Sequence, residues 1–223
     1  PISLMPVEVD IINSGSVIMI FSPYALPTGR SFIFTLSCVN GEGLVGEASV
    51  QVTTNSPPEP GVFFIDPVEG KAFSQSFTFI SSLWTDDDIP ISYQYGYFDY
   101  GFPMVTSVRS EGAYKNILLP AGDIIEGYRL ICFVSVFDSL NANNTRSASV
   151  QVLVNEDTNS IIHSLLLESS RGLSLANTRQ LTVPIITELN RVNCSSAPHN
   201  CTALNRQPCS LYENTCGECL NEN

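Results

Sequence analysis

Three adjacent carboxylates, Asp86-Asp87-Asp88, follow Trp84 and form the densest acidic cluster of the chain. Carboxylate oxygens are the ligands calcium prefers, so these three are the candidate metal-binding residues and calcium the candidate cation. Successive side chains of an extended segment point alternately to opposite sides, and the EF-hand spacing with its central glycine and distal Glu is absent. An exposed acidic turn is the plainer reading. Nucleophilic catalysis needs a base beside the nucleophile. The two histidines, His163 and His199, stand apart from any nucleophile motif, and GxSxG does not occur. No catalytic or cofactor-binding residue is assigned, and a protein that is not an enzyme is expected. Gly41-Glu42-Gly43-Leu44-Val45-Gly46 has the form GxGxxG, but a dinucleotide site needs a helix after the glycines to meet the pyrophosphate. The residues that follow, Glu47 to Thr54, read as strand, which makes the glycines a hairpin loop.

Aromatic residues offer a second chemistry. Tyr93, Tyr95 and Tyr97 share one face of a strand by their period of two, and with Trp84 and Tyr100 they are candidates to stack on sugar rings. The competing role is to pack a sheet face and pair across strands. Cysteine offers a third. Of seven cysteines, Cys194, Cys201, Cys209, Cys216 and Cys219 crowd into the last 30 residues, which points to disulfides and an oxidising compartment. Cys216-Gly217-Glu218-Cys219 is a CxxC, but a structural zinc site needs a second tightly spaced ligand pair, and none is visible. Five is odd, so one of these thiols stays free or pairs outside the tail. Asn143, Asn193 and Asn200 begin N-glycosylation sequons.

The elements that hold these residues follow from composition and pattern. Hydrophobic residues make up 43% of the 223 positions, enough for a packed core. Ten basic against 22 acidic residues give a formal net charge of -12. That opposes binding to nucleic acid or anionic lipid, which require concentrated Lys and Arg. No apolar stretch approaches the roughly 20 residues of a membrane helix, so no membrane insertion by this segment is expected. Pro1-Ile2-Ser3-Leu4 does not have the form of a signal peptide.

An internal repeat organises the rest. Ala48-Ser49-Val50-Gln51-Val52 recurs letter for letter as Ala148-Ser149-Val150-Gln151-Val152. Each copy is preceded by a related turn, Leu26-Pro27-Thr28-Gly29 or Leu119-Pro120-Ala121-Gly122, and then by an alternating apolar run. Phe32, Phe34, Leu36 and Cys38 share one face in the first run; Tyr128, Leu130, Cys132, Val134 and Val136 do in the second. On this alignment Cys38 and Cys132 occupy matching positions. Each copy therefore reads as a hairpin of two long strands, with shorter strands expected over 62–65, 73–83, 91–100 and 117–119. Strands of this kind without helical period predict a mostly β chain of tandem immunoglobulin or fibronectin III-like β-sandwiches. Asn55-Ser56-Pro57-Pro58-Glu59-Pro60 serves as linker, since consecutive prolines cannot join a central ladder. Residues 1–55 form the C-terminal part of a first sandwich and 56–155 a complete second one. Residues 156–192 read as a helical connector, with a second helix opening at Thr182-Val183-Pro184 and presenting Leu189 and Val192. Residues 193–223 read as a disulfide-rich, truncated module.

Asn55-Ser56-Pro57-Pro58, the strand at Gly61, Trp84 to Tyr95, Leu119 to Gly122 and Leu130 to Asp138 together resemble the receptor-for-egg-jelly (REJ) region of polycystin-1-like proteins. That region is similar to tandem fibronectin-type and PKD-like modules. The tail, Cys201 to Cys209 and Asn214 to Leu220, resembles cysteine-rich modules of large protist surface proteins, some associated with flagella and their hairs. The resemblance implies a non-enzymatic structural or adhesive role at the cell or flagellar surface. The implied partners are neighbouring modules of the same protein or copies of the chain. Glycan binding by the tyrosine strand is the alternative function.

Overall fold

The computed structural model describes residues 10–12, 16–18, 20–22, 25–124, 126–169, 175–192, 194, 196–198, 200–207, 209 and 212–220. Backbone proximity divides the chain into two compact units, Pro1–Pro57 and Pro58–Asn223.

In the first unit β1 (Asp10–Ile12) pairs antiparallel with β2 (Ser16–Ile18), and β3 (Ser31–Val39) with β4 (Val45–Thr53). The β3–β4 register runs from Ser31 opposite Thr53 to Val39 opposite Val45. Period-two alternation then sorts the side chains. One face collects Phe32, Phe34, Leu36 and Cys38 against Val52, Val50, Ala48 and Gly46. The other is laced by hydroxyl contacts, Ser31 to Thr53 at 2.9 Å and Thr35 to Ser49 at 2.8 Å, and by the Ser37 hydroxyl donating to Glu47 at 3.1 Å. The loop is an Asn40 turn: its side-chain oxygen accepts from the Glu42 and Leu44 amides. Among the described residues this unit holds two separate two-stranded sheets and no sandwich.

The second unit wraps two sheets around one core. The smaller has the order β10 (Tyr114–Leu118), β7 (Ser76–Ser82), β5 (Val62–Asp66), all antiparallel. The larger has the order β6 (Glu69–Lys71), β12 (Asn143–Leu153), β11 (Arg129–Phe137), β8 (Ser92–Asp99), β9 (Phe102–Val105). Its edge strand β6 lies parallel to β12; the other pairs are antiparallel. Two strands were not foreseen, β6 and β9. Asp99 faces Phe102, so β8 and β9 are joined by Tyr100 and Gly101 alone. Both residues have positive φ, 45° and 83°, the backbone that a two-residue hairpin loop with native twist demands. Pro103 sits on the outermost strand, where a missing N–H does least harm.

The core is set by facing alternation. From β8 and β11, Tyr93 lies opposite Val136, Tyr95 opposite Val134 and Tyr97 opposite Cys132; all six are buried. Phe77 and Phe79 of β7 meet them from the other sheet, with the Phe79 and Tyr95 rings edge-on at 6.0 Å. Burying one large apolar side chain contributes about 1.5–3 kcal/mol, so this layer is the main cohesive element.

Register also corrects the repeat alignment. Ala48 faces Leu36 and Ala148 faces Cys132. The counterpart of Cys132 is therefore Leu36, and Cys38 matches Val134.

The helices α1 (Thr158–Ser169) and α2 (Leu175–Leu189) do more than connect: Ile162 and Ile185 are buried in the core cluster of the second unit, with Ile161, Leu165, Leu181 and Val183 packed against it. α2 begins seven residues before Thr182 and carries Pro184 in its interior, where it forfeits one ladder hydrogen bond. Leu189, expected on a packing face, is exposed. No helix among the described residues is long and apolar enough to cross a membrane.

Replacing Phe79 with Ala should cost about 3–5 kcal/mol through the cavity left behind, read as a lower urea midpoint. Phe64→Ser, on the exposed side of β5, should change stability by roughly 0.5 kcal/mol or less. Equal effects would mean that the layer described here is not the core.

Candidate functional site

The tyrosine strand turns inward. Tyr93, Tyr95 and Tyr97 are 6%, 1% and 0% exposed. A sugar ring cannot stack on rings already enclosed by Phe77, Phe79 and the β11 valines, so the proposed glycan platform is replaced by a core layer. Two of the phenols find partners within the fold: Tyr97 Oη lies 2.6 Å from Thr187 Oγ1 of α2, and Tyr95 Oη donates to the Gly112 carbonyl at 3.4 Å. Burial pushes the Tyr95 and Tyr97 hydroxyls, and the Cys132 thiol, well above their ordinary pKa values. Cys132 is thus a packing residue and a poor nucleophile.

The acidic cluster is rearranged as well. Asp86 and Asp88 come together with Asp138, their carboxylate oxygens within 4.8 Å of one another, while Asp87 is exposed and outside the group. Asp138 follows β11 and is fully buried; 50 residues separate it from Asp88, so its part was beyond a local motif. The oxygen donors suit a hard cation in type. However, Asp138 Oδ1 already accepts from the Leu140 and Ala142 amides at 2.8 and 2.9 Å, and Asp86 Oδ1 from the Asp88 amide at 2.7 Å. These bonds make the Asp138 and Asp86 carboxylates locks on two loops, and Ser139 N–H donating to the Asp88 backbone carbonyl at 3.0 Å joins those loops. Arg109 completes that end of the unit: its guanidinium donates to the Asp138 carbonyl and to Asn141 Oδ1, and lies 4.4 Å from the centre of the Phe137 ring.

Where α2 seats on the sheets, a cleft of about 170 Å³ is lined by Asp99, Tyr100, Met104, Ile186, Thr187, Asn190 and Arg191. Arg191 donates from this side to the carbonyls of Ala121 and Gly122 and lies 3.3 Å from Glu188. Arg179 donates to the Val105 carbonyl at 3.2 Å, and Gln180 to that of Asn116. Helix docking therefore rests on side-chain donors satisfying loop and strand-end carbonyls, which uncapped would be costly to bury. Burial raises the pKa of Asp99, Arg191 opposes that, and Glu188 and Asp123 add to it.

In the tail, disulfides join Cys194 to Cys209 and Cys201 to Cys216, each across 15 residues and interlaced. Loops of this length are worth about 3 kcal/mol each in chain-entropy terms. Cys216 is thereby removed from the CxxC considered for zinc, and Cys219, expected in a disulfide, is a free exposed thiol. Backbone bonds from Gln207 to Glu218 and from Leu220 to Asn205 tie the ends of the tail together. Of the sequons, Asn143 is exposed at the start of β12 and Asn200 is exposed before the short 3-10 turn Thr202–Leu204; Asn193 lies outside the described residues. His163 is exposed on α1, and His199 also lies outside the described residues. The glycines at 41–46 form the β3–β4 loop and its flank, and strand follows them.

These features define a β-rich module whose helices are seated on its core and whose tail is stapled by two disulfides. Residues 19–182 match the family model described as the REJ domain, and the chain belongs to that family. It is also 23% identical over 176 residues to Polycystin-1-like protein 1 of Mus musculus, covering 76% of this chain and 7% of that protein. The chain thus spans a small fraction of the relative's length.

Two outcomes check this geometry. Because Asp99 holds its proton more tightly when folded, stability falls as pH rises from the unfolded carboxylate value of 3.8 through the higher folded value. Asp99→Asn should therefore raise the denaturation midpoint at neutral pH, with the gain vanishing in acid below both values; a gain that persists there would contradict burial as the cause. Non-reducing peptide mapping should recover Cys194 linked to Cys209 and Cys201 linked to Cys216, with Cys219 alkylated. Any other pairing would overturn the tail.

Proposed function

We propose that this chain is an extracellular structural and adhesive module of a larger surface protein, without enzymatic activity, built from tandem immunoglobulin or fibronectin III-like units. Its setting is a cell or flagellar surface, and its partners are neighbouring modules or further copies in a filament. The observation that carries the reading is the repeated hairpin: β3–β4 and β11–β12 share a sequence signature and present it in separate units. A chain that repeats one supersecondary unit along its length gains reach and surface, which suits spacing and attachment. Membership of the REJ domain family supports a surface module. The two tail disulfides favour an oxidising compartment, and a net charge of -12 favours solubility and mutual spacing of copies. On this reading Asn143, Asn193 and Asn200 carry N-linked glycans.

An antibody against the second unit should label intact, unpermeabilised cells over the cell body or flagellum. Peptide N-glycosidase should increase the mobility of the extracted protein. Label restricted to permeabilised cells, with no mobility change, would sink the extracellular assignment.

A further inference from the structure

The β3–β4 hairpin has an apolar face that the described residues cover only at Phe34, where the Phe21 ring lies 5.0 Å away between centroids. Leu36, Val50 and Val52 are 45%, 58% and 41% exposed. Their register counterparts in the second unit, Cys132, Val150 and Val152, are 0%, 2% and 0% exposed. The two hairpins are alike in length, register and the letters of the last strand, so the difference lies in what surrounds them. In the second unit β8 hydrogen-bonds the far edge of β11, β6 the far edge of β12, and the β10–β7–β5 sheet closes the apolar face. The face of β3–β4 is apolar from end to end, whereas the reverse face is hydroxyl-rich and internally bonded. A hairpin that met water on both faces would have no reason for this sorting.

We infer that the apolar face of β3–β4, centred on Phe34, Leu36, Cys38 and Val50, is a docking surface for a β-sheet layer supplied in cis by the polypeptide N-terminal to β3. That layer pairs one strand antiparallel with the free edge of β3. Chain order in the second unit selects the occupant: every strand that covers β11–β12, from β5 to β10, precedes it. Ahead of β3 the described residues hold only the three-residue strands β1 and β2, too little for a facing sheet and an edge strand. The layer's chemistry follows from the internal copy. It carries inward aromatic and aliphatic side chains at period two, as Phe77 and Phe79 do in β7 and Tyr93, Tyr95 and Tyr97 in β8. The inference rests on register and burial, and holds or fails independently of where the protein resides.

Cys38 lies on this face and is exposed in the chain described here, so its thiol reports the cover. In the full-length protein, maleimide should label Cys38 at least roughly tenfold more slowly than in the denatured protein, following Cys132. Phe34→Glu in full-length protein should lower the thermal midpoint, whereas Ile33→Glu on the reverse face should not. If Phe34→Glu prevents folding, the wild-type labelling decides. Equal labelling before and after denaturation, or equal effects of the two substitutions, overturns the surface. Protection that disappears on dilution assigns the face to a second copy and overturns the cis layer.

Discussion

A strand pair with one apolar face is an unfinished object, and this chain is organised by that constraint. The backbone of β11–β12 is satisfied along its ladder from Arg129 opposite Gln151 to Phe137 opposite Asn143, yet hydrogen bonds alone leave Leu130, Cys132, Val134 and Val136 facing water. Net stabilisation from a backbone bond is modest because water competes for the same groups. Removing those four side chains from water is what favours the folded unit, and it requires a second layer at sheet-packing distance. The β10–β7–β5 sheet supplies it, and the tyrosines of β8 extend the buried layer sideways.

Closing two sheets over a core leaves carbonyls at strand ends and loops that need donors, and the few cations of a strongly acidic chain are used there. Arg109 pins the loop after β11, Arg191 the turn at Ala121 and Gly122, and Arg179 the end of β9. Gly122 lies where an added Cβ would strike the Tyr128 backbone, so the turn can approach β11 only with glycine there. The buried Asp138 works with the opposite polarity, accepting two amides of its own loop. These contacts are directional where the apolar layer is not, and they set how the helices and loops are oriented on it.

What could be read from sequence follows the same division. The two hairpins were legible because alternation and exact repetition are local signals, and the tail because five cysteines within 30 residues have few other uses. Period two also placed Tyr93, Tyr95 and Tyr97 on one face, but could not say whether that face was wet. A tyrosine serves either environment, and the deciding partner, Thr187, lies 90 residues away. β6 is three residues long and owes its existence to β12. β9 holds a proline and is introduced by Tyr100 in a backbone that asparagine or glycine usually occupies. The start of α2 was missed because Pro184 resembles an opening residue, whereas tertiary packing of Ile185 and Thr187 carries the helix through it.

The family match and the folded unit do not share boundaries, and the reason is physical. The match runs over residues 19–182, beginning in the first unit and ending inside α2. Its last residue precedes Ile185, which is buried in the core, Thr187, which meets the Tyr97 hydroxyl, and Arg191, which holds the Ala121 and Gly122 carbonyls. A piece cut at 182 would keep the sheets but lose the side chains that cover their open side, leaving Tyr97 and the Gly122 turn without their partners. At the other end, residues 19–57 bring the hairpin of one unit into the match, with no facing sheet among the described residues. The compact unit runs from Pro58 to Asn223, and its stretch from Pro58 through Arg191 contains both members of each sheet–helix contact made by Ile185, Thr187 and Arg191.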